Sequence, residues 1–242
     1  MLLELVIAAV GAAWLFNSYG KKSKRPDENS TPIDSNIKVR REETSTVAES
    51  HTDIKSKIAD MSRTRGIEYL VHFTQKANLP SIKKYGLMSR RDLEKSAISF
   101  SFNDEQRFDG YPNSVSLSVT STNYKMFWSL RKKNPSIEWA IILLDAYGVL
   151  QNCDCAFQST NAANNNMRVK PIAERKTLAA FESMFYDDNL RKIRDLKDNE
   201  PTDPQAEILC FDTISPKFFK GIVFDGDLFV PRHDYCYWKK SQ

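Results

Sequence analysis

Several of the features that would place a chain quickly are missing from this one. No internal repeat runs through the 242 residues, which excludes a solenoid or propeller built from repeated units. Glycine is scarce, with eight in the chain, and none forms the Gly-rich turn of a Rossmann unit. A bound dinucleotide would therefore have to be held in another way. The four cysteines are scattered, and the one close pair, Cys153-Asp-Cys155, lacks the C-x-x-C spacing of a zinc ribbon. All four read as reduced thiols in a cytosolic domain, with no metal expected. A site drawing on Cys210, His233 or Cys236 is the alternative. The net charge of +4 is too small to demand a nucleic-acid partner, so local basic clusters carry more information than the total. The first residues also lack the basic n-region and small-residue cleavage site of a secretory signal.

What is present begins with a size suited to one mid-sized domain with a full core, plus appendages. Residues 1–20 are almost wholly apolar, interrupted by Glu4, and a spanning helix needs about 20 residues. Trp14, Phe16 and Tyr19 stand where an interfacial belt would lie, and Lys21-Lys-Ser-Lys-Arg25 follows at once. This pattern predicts a single-pass anchor in the cell inner membrane, with the rest of the chain in the cytoplasm. A soluble chain with an amphipathic N-terminal helix is the competing reading. Residues 21–65 are charged, rich in Ser and Thr and nearly free of aromatics, and are expected to form a disordered tether. The folded domain is expected to occupy residues 66–242.

Within that domain, strands are expected at Tyr69–Phe73, Ala97–Phe102, Ser114–Thr120, Trp139–Leu144, Ile208–Asp212 and Gly221–Phe224. Helices are expected at Asn78–Tyr85, Asn123–Lys133 and Pro171–Met184. Short strands and helices without a regular βαβ rhythm indicate an α+β domain.

The residues suited to chemistry are spread along the chain. Pro201-Thr-Asp-Pro-Gln-Ala-Glu-Ile-Leu-Cys210 puts Gln205 and Glu207 two apart at the entry to an apolar run. If a strand starts at Gln205, its period of two throws both side chains onto one face. A carboxylate there can grip a sugar hydroxyl while positive charge grows on the neighbouring anomeric carbon. His72 and Thr74 share the same spacing in Tyr69-Leu-Val-His-Phe-Thr74, and Asn78 opens the helix that follows. Arg107 stands before the turn-forming Phe108-Asp-Gly-Tyr-Pro112. Each of these taken singly is an ordinary structural or surface residue.

Taken in order they resemble the DarT group of ADP-ribosyltransferases, the toxins of DarT–DarG toxin–antitoxin systems. The matching pieces are His72-Phe-Thr74, Asn78 to Leu87, Arg107, Trp139 to Asp145, Asn161-Ala-Ala163 and Pro201 to Glu207, spanning roughly residues 67 to 230. The chain departs from better-known members at Ser116 to Trp128. The resemblance implies a split β-sandwich of the ADP-ribosyltransferase type with flanking helices, NAD as co-substrate in the cleft, and a base of single-stranded DNA as acceptor. It implies Glu207 as the catalytic residue, Arg107 at the diphosphate, His72 and Thr74 at the adenosine ribose and its neighbours, and Asn78 supporting the same wall. It also raises a macrodomain antitoxin as a partner. With the anchor, the expected whole is a membrane-tethered enzyme acting in toxicity or defence. A protein- or RNA-directed transferase and a silent NAD-binding module are the alternatives. Two basic sets are candidates for the acceptor strand: Arg191, Lys192, Arg194 and Lys197 just before Glu207, and Lys125, Arg131, Lys132 and Lys133 interleaved with Tyr124, Phe127 and Trp128.

Overall fold

A computed structural model describes residues 50–101, 110–224, 228–232 and 235–238, all within a unit spanning Val47–Gln242. The first element is α1 (His51–Thr64), whose Ser50 cap accepts a hydrogen bond from the Asp53 amide at 3.2 Å. Ile54, Ile58 and Met61 form its apolar stripe, and Ile58 and Ala59 are buried in the main core. This corrects the expected tether, whose last part is an ordered helix. Its charged composition conceals one narrow apolar face.

The chain continues through β1 (Tyr69–Gln75), α2 (Leu79–Tyr85), α3 (Arg90–Lys95), β2 (Val115–Val119), β3 (Thr122–Asn123) and α4 (Tyr124–Lys133). Next come β4 (Trp139–Asp145), α5 (Ala146–Asn152), β5 (Cys155–Gln158), α6 (Asn165–Arg168), α7 (Leu178–Ser183) and α8 (Asp188–Ile193). The last elements are β6 (Glu207–Cys210), β7 (Phe219–Phe224), β8 (Leu228–Arg232) and β9 (Tyr235–Trp238). Six strands form one antiparallel sheet in the order β5-β6-β2-β1-β4-β7, and β3-β9-β8 form a smaller one. α1, α5 and α7 cover one face of the large sheet, where Leu70, Leu117, Ile142, Ile208 and Phe181 make the main core. Against the other face α4 packs Phe127 onto Val71, Trp139, Ile141 and Leu143. β4 is buried on both sides, which accounts for its unbroken apolar run.

Two features of this sheet position the site. β1 is laddered to β4 along its whole length, from Tyr69↔Asp145 to Gln75↔Trp139. It meets β2 only at Leu70↔Val119 and Val71↔Ser118, after which the two strands part. Beneath this opening, Gly86 ends α2 with φ +90°, and a Cβ there would lie 2.5 Å from the Ile214 carbonyl oxygen. Only glycine allows Leu87 and Ile214 to pair so closely.

Three expectations are corrected here. The domain is a mixed α/β fold around a six-stranded antiparallel sheet with a small second sheet, in place of the expected split sandwich. Among the described residues no helix is long and apolar enough to cross a membrane, and the expected anchor at residues 1–20 lies outside them. No strand forms over residues 97–101, the described part of the expected Ala97–Phe102 strand. The expected Pro171–Met184 helix is broken into a turn at Ala173–Arg175 and α7, because the Thr177 hydroxyl accepts from the Ala180 amide at 3.2 Å and caps a new helix.

Candidate active site

Where β1 and β2 part, a cleft of about 360 Å³ opens, lined by His72, Thr74, Asn78, Ser116, Asn161 and Glu207 among others. Phe73, Ile82, Leu93 and Phe100 are among its apolar lining residues. Four of the five residues to which the resemblance gives a role thus share one cavity, although His72 and Glu207 come from strands far apart in the chain. The fifth, Arg107, lies outside the described residues.

Glu207 is the first residue of β6, in register with Ser118 on β2 and with Gln158 on β5. Residues directly opposite in an antiparallel ladder share a face, so Ser118, Glu207 and Gln158 form one row. Val71, opposite Ser118, belongs to that row too, so the alternation of β1 puts His72 and Thr74 on the other face. The two sets of residues reach one cavity because the sheet opens between them. One Glu207 oxygen, Oε2, accepts a hydrogen bond from the Ala162 amide at 3.0 Å. The Asn161-Ala-Ala163 loop that supplies this amide is itself tied, with Asn161 Oδ1 accepting from the Ala163 amide at 2.8 Å.

His72 bridges the opening: its Nδ1 lies 3.0 Å from the Ser116 carbonyl oxygen. A carbonyl only accepts, so Nδ1 carries the proton and in the neutral ring Nε2 is the acceptor. Asn78 is buried, and its amide is engaged at both ends. Its Nδ2 donates to Thr74 Oγ1 at 3.0 Å and to the Ser101 carbonyl at 2.7 Å, while Oδ1 accepts from the Ser101 amide at 2.8 Å. Its geometry is that of a strut, fixing Thr74 and the chain just before residues 102–109, the stretch that contains Arg107.

Gln205 departs from its expected place. It sits in a turn before β6, its amide donating to Asp203 Oδ1 at 2.9 Å, and lines a separate shallow groove with Lys125, Ser159, Tyr186 and Arg194. The basic segment before Glu207 is also partly structural. Arg191 is buried and donates to the carbonyls of Glu200 and Lys197, each at 2.7 Å. Two residues of the site region carried no sequence signal of their own. Ser116 meets His72 through its backbone carbonyl. Gln158 is fully buried, and neither polar atom of its amide has a hydrogen-bond partner. Among the described residues no cluster of three or more His, Cys, Asp or Glu is arranged to hold a metal ion.

Comparisons with known proteins agree with the resemblance seen in the motifs. No curated protein matches the chain. Among solved structures, DarTG of Thermosipho africanus in complex with ADP-ribose is similar at 15% identity and a TM-score of 0.42, over 64% of this chain. The match spans 43% of the length of that chain, and so distant a likeness carries no residue-level argument. The DarT family model, described as ssDNA thymidine ADP-ribosyltransferase, matches residues 71–227, which is well over half of the chain and takes in both sides of the cleft. The chain therefore belongs to the DarT family of ADP-ribosyltransferases.

Proposed function

We propose that the cleft binds NAD and that Glu207 promotes transfer of its ADP-ribose to a thymidine base in single-stranded DNA. The observation that carries this reading is the position of Glu207, held by the Ala162 amide in the same cavity as His72, Thr74 and Asn78. The glycosidic bond to nicotinamide breaks with its electron pair leaving on nicotinamide, and the ribose carbon becomes oxocarbenium-like. The Glu207 carboxylate faces that growing positive charge and stabilises it. The acceptor base forms the new bond to the same carbon, and its proton passes to Glu207. His72, with its tautomer set by Ser116, and Thr74 hydrogen-bond the adenosine ribose and its neighbours, while Asn78 holds that wall in place. Arg107 suits the diphosphate, because a planar guanidinium binds it in bidentate fashion.

The family reading carries with it a macrodomain antitoxin as companion, and restored growth on co-expression is the outcome that supports it. The enzymatic reading is tested with labelled NAD and oligonucleotides that each present one of the four bases. Thymidine-dependent label on single-stranded DNA, absent with Glu207→Gln, is expected. Label on protein or RNA alone would overturn the DNA assignment.

A further inference from the structure

α4 joins two settings. Its cap Asn123 and its Met126 line the cleft, while Lys125 lines the neighbouring groove with Ser159 and Gln205. Ser159 follows Gln158, the cross-strand neighbour of Glu207, and Gln205 precedes Glu207 by two residues, so the groove is built in part from close chain neighbours of the Glu207 row. The inner side of α4 is fixed by Phe127, which is fully buried with its ring 5.0 Å from Phe73 and 5.7 Å from Trp139.

The outer side has a different composition. Lys125, Trp128 and Lys132 follow one another at helical spacing along one stripe, and all three are exposed. Trp128 is 48% exposed, with the Lys132 ammonium 5.0 Å from its ring centroid. No residue of α4 is acidic. A helix rises 1.5 Å per residue, so the stripe runs for about 10 Å away from that groove. An indole between ammonium groups matches a nucleic-acid strand, in which flat bases alternate with phosphates.

We infer that the Lys125–Trp128–Lys132 stripe carries the DNA strand flanking the acceptor base, the indole stacking on a base and the two ammonium groups meeting phosphates. This rests on the DNA reading above, and it adds a subsite outside the catalytic cleft. The strand leaves the cleft past Glu207 and runs along α4, so the flank gains affinity without contacting NAD.

The test compares the full chain with Trp128→Ala, Trp128→Phe and Lys132→Glu, using a long thymidine-containing oligonucleotide and one of two nucleotides. For Trp128→Ala, KM for the long oligonucleotide rises on the order of tenfold with kcat unchanged, Trp128→Phe restores most of the loss, and the short oligonucleotide is unaffected. Lys132→Glu lowers the salt slope of long-oligonucleotide binding by about 0.7, the value for one phosphate on a single strand. NAD hydrolysis without DNA stays at the wild-type rate in all three, which shows that the cleft is intact. If the wild-type chain modifies DNA but these variants bind long and short oligonucleotides as it does, the track is overturned and the reaction assignment stands. If the wild-type chain labels only protein or RNA, both readings fall together.

Discussion

Glu207 enters β6 with one oxygen already bound to the Ala162 amide, so its position is set before substrate arrives. Replacement by Gln keeps this hydrogen bond but removes the charge and the proton acceptor. Transfer is expected to fall by about 10²–10⁴-fold while NAD binding is largely retained, as read by single-turnover labelling beside calorimetric titration. Retained turnover would remove Glu207 from the mechanism. Gln158 calls for the opposite experiment. Its buried amide lacks hydrogen-bond partners in the free structure, so Gln158→Met is expected to leave stability unchanged or raise it by about 1 kcal/mol in thermal denaturation. The thiols of Cys210, at the end of β6, and of Cys153, just before β5, give a pH dependence. A hydrogen bond with Cys210, then burial, pushes the Cys153 thiol well above its ordinary range. Cys210 is also raised on balance: its bond to Cys153 pulls down, whereas its bond to Cys155 and burial push up. In the unfolded chain these thiols lose protons near their ordinary value of 9.0, while the native thiols keep theirs. Their contribution is therefore whole below pH 9 and is lost as the pH rises above it. Denaturation midpoints should fall between pH 9 and 11, and less steeply in Cys153→Ala.

At the scale of elements, the opening between β1 and β2 is the feature on which the site depends. β1 stays fully laddered to β4, so it remains rigid while its other edge is exposed to the cleft. The turn after α2 shares in this arrangement through Gly86. Gly86→Ala would require an L side chain at φ +90° and a contact with the Ile214 carbonyl. A loss of about 1–3 kcal/mol is expected from the backbone conformation alone, read as a lower denaturation midpoint. α1 is the counterpart on the opposite face. Its Ile58 and Ala59 belong to the core against α5, so a chain shortened to begin at residue 66 should unfold more readily than one that keeps α1.

For the whole molecule, a cavity assembled from both halves of the chain implies that ligand binding and folding are linked. NAD at a hundred times its Kd is expected to stabilise Glu207→Gln by about 2.7 kcal/mol, seen as a thermal shift. His72→Ala should lose most of that shift at the same NAD concentration if the imidazole contacts the cofactor. An equal shift in the two variants would place His72 outside the binding wall.

The sequence by itself determined the elements whose cues are local. The alternation of β2, the apolar run of β4, and the Pro80 and Gly86 limits of α2 lie within a few residues of the structure they specify. The ordered motifs from His72 to Glu207 also made the family legible. Other features depended on contacts distant in the chain. β5 is four residues long and is a strand because β6 pairs with it, and α1 is held by a core that its own charged sequence does not announce. The row of Ser118, Glu207 and Gln158, the reach of His72 to Ser116, and the double engagement of Asn78 were decided by register and strand separation. Periodicity reports which face of a strand a residue occupies. Only the tertiary structure decides that a sheet opens at one point and lets residues from opposite faces meet.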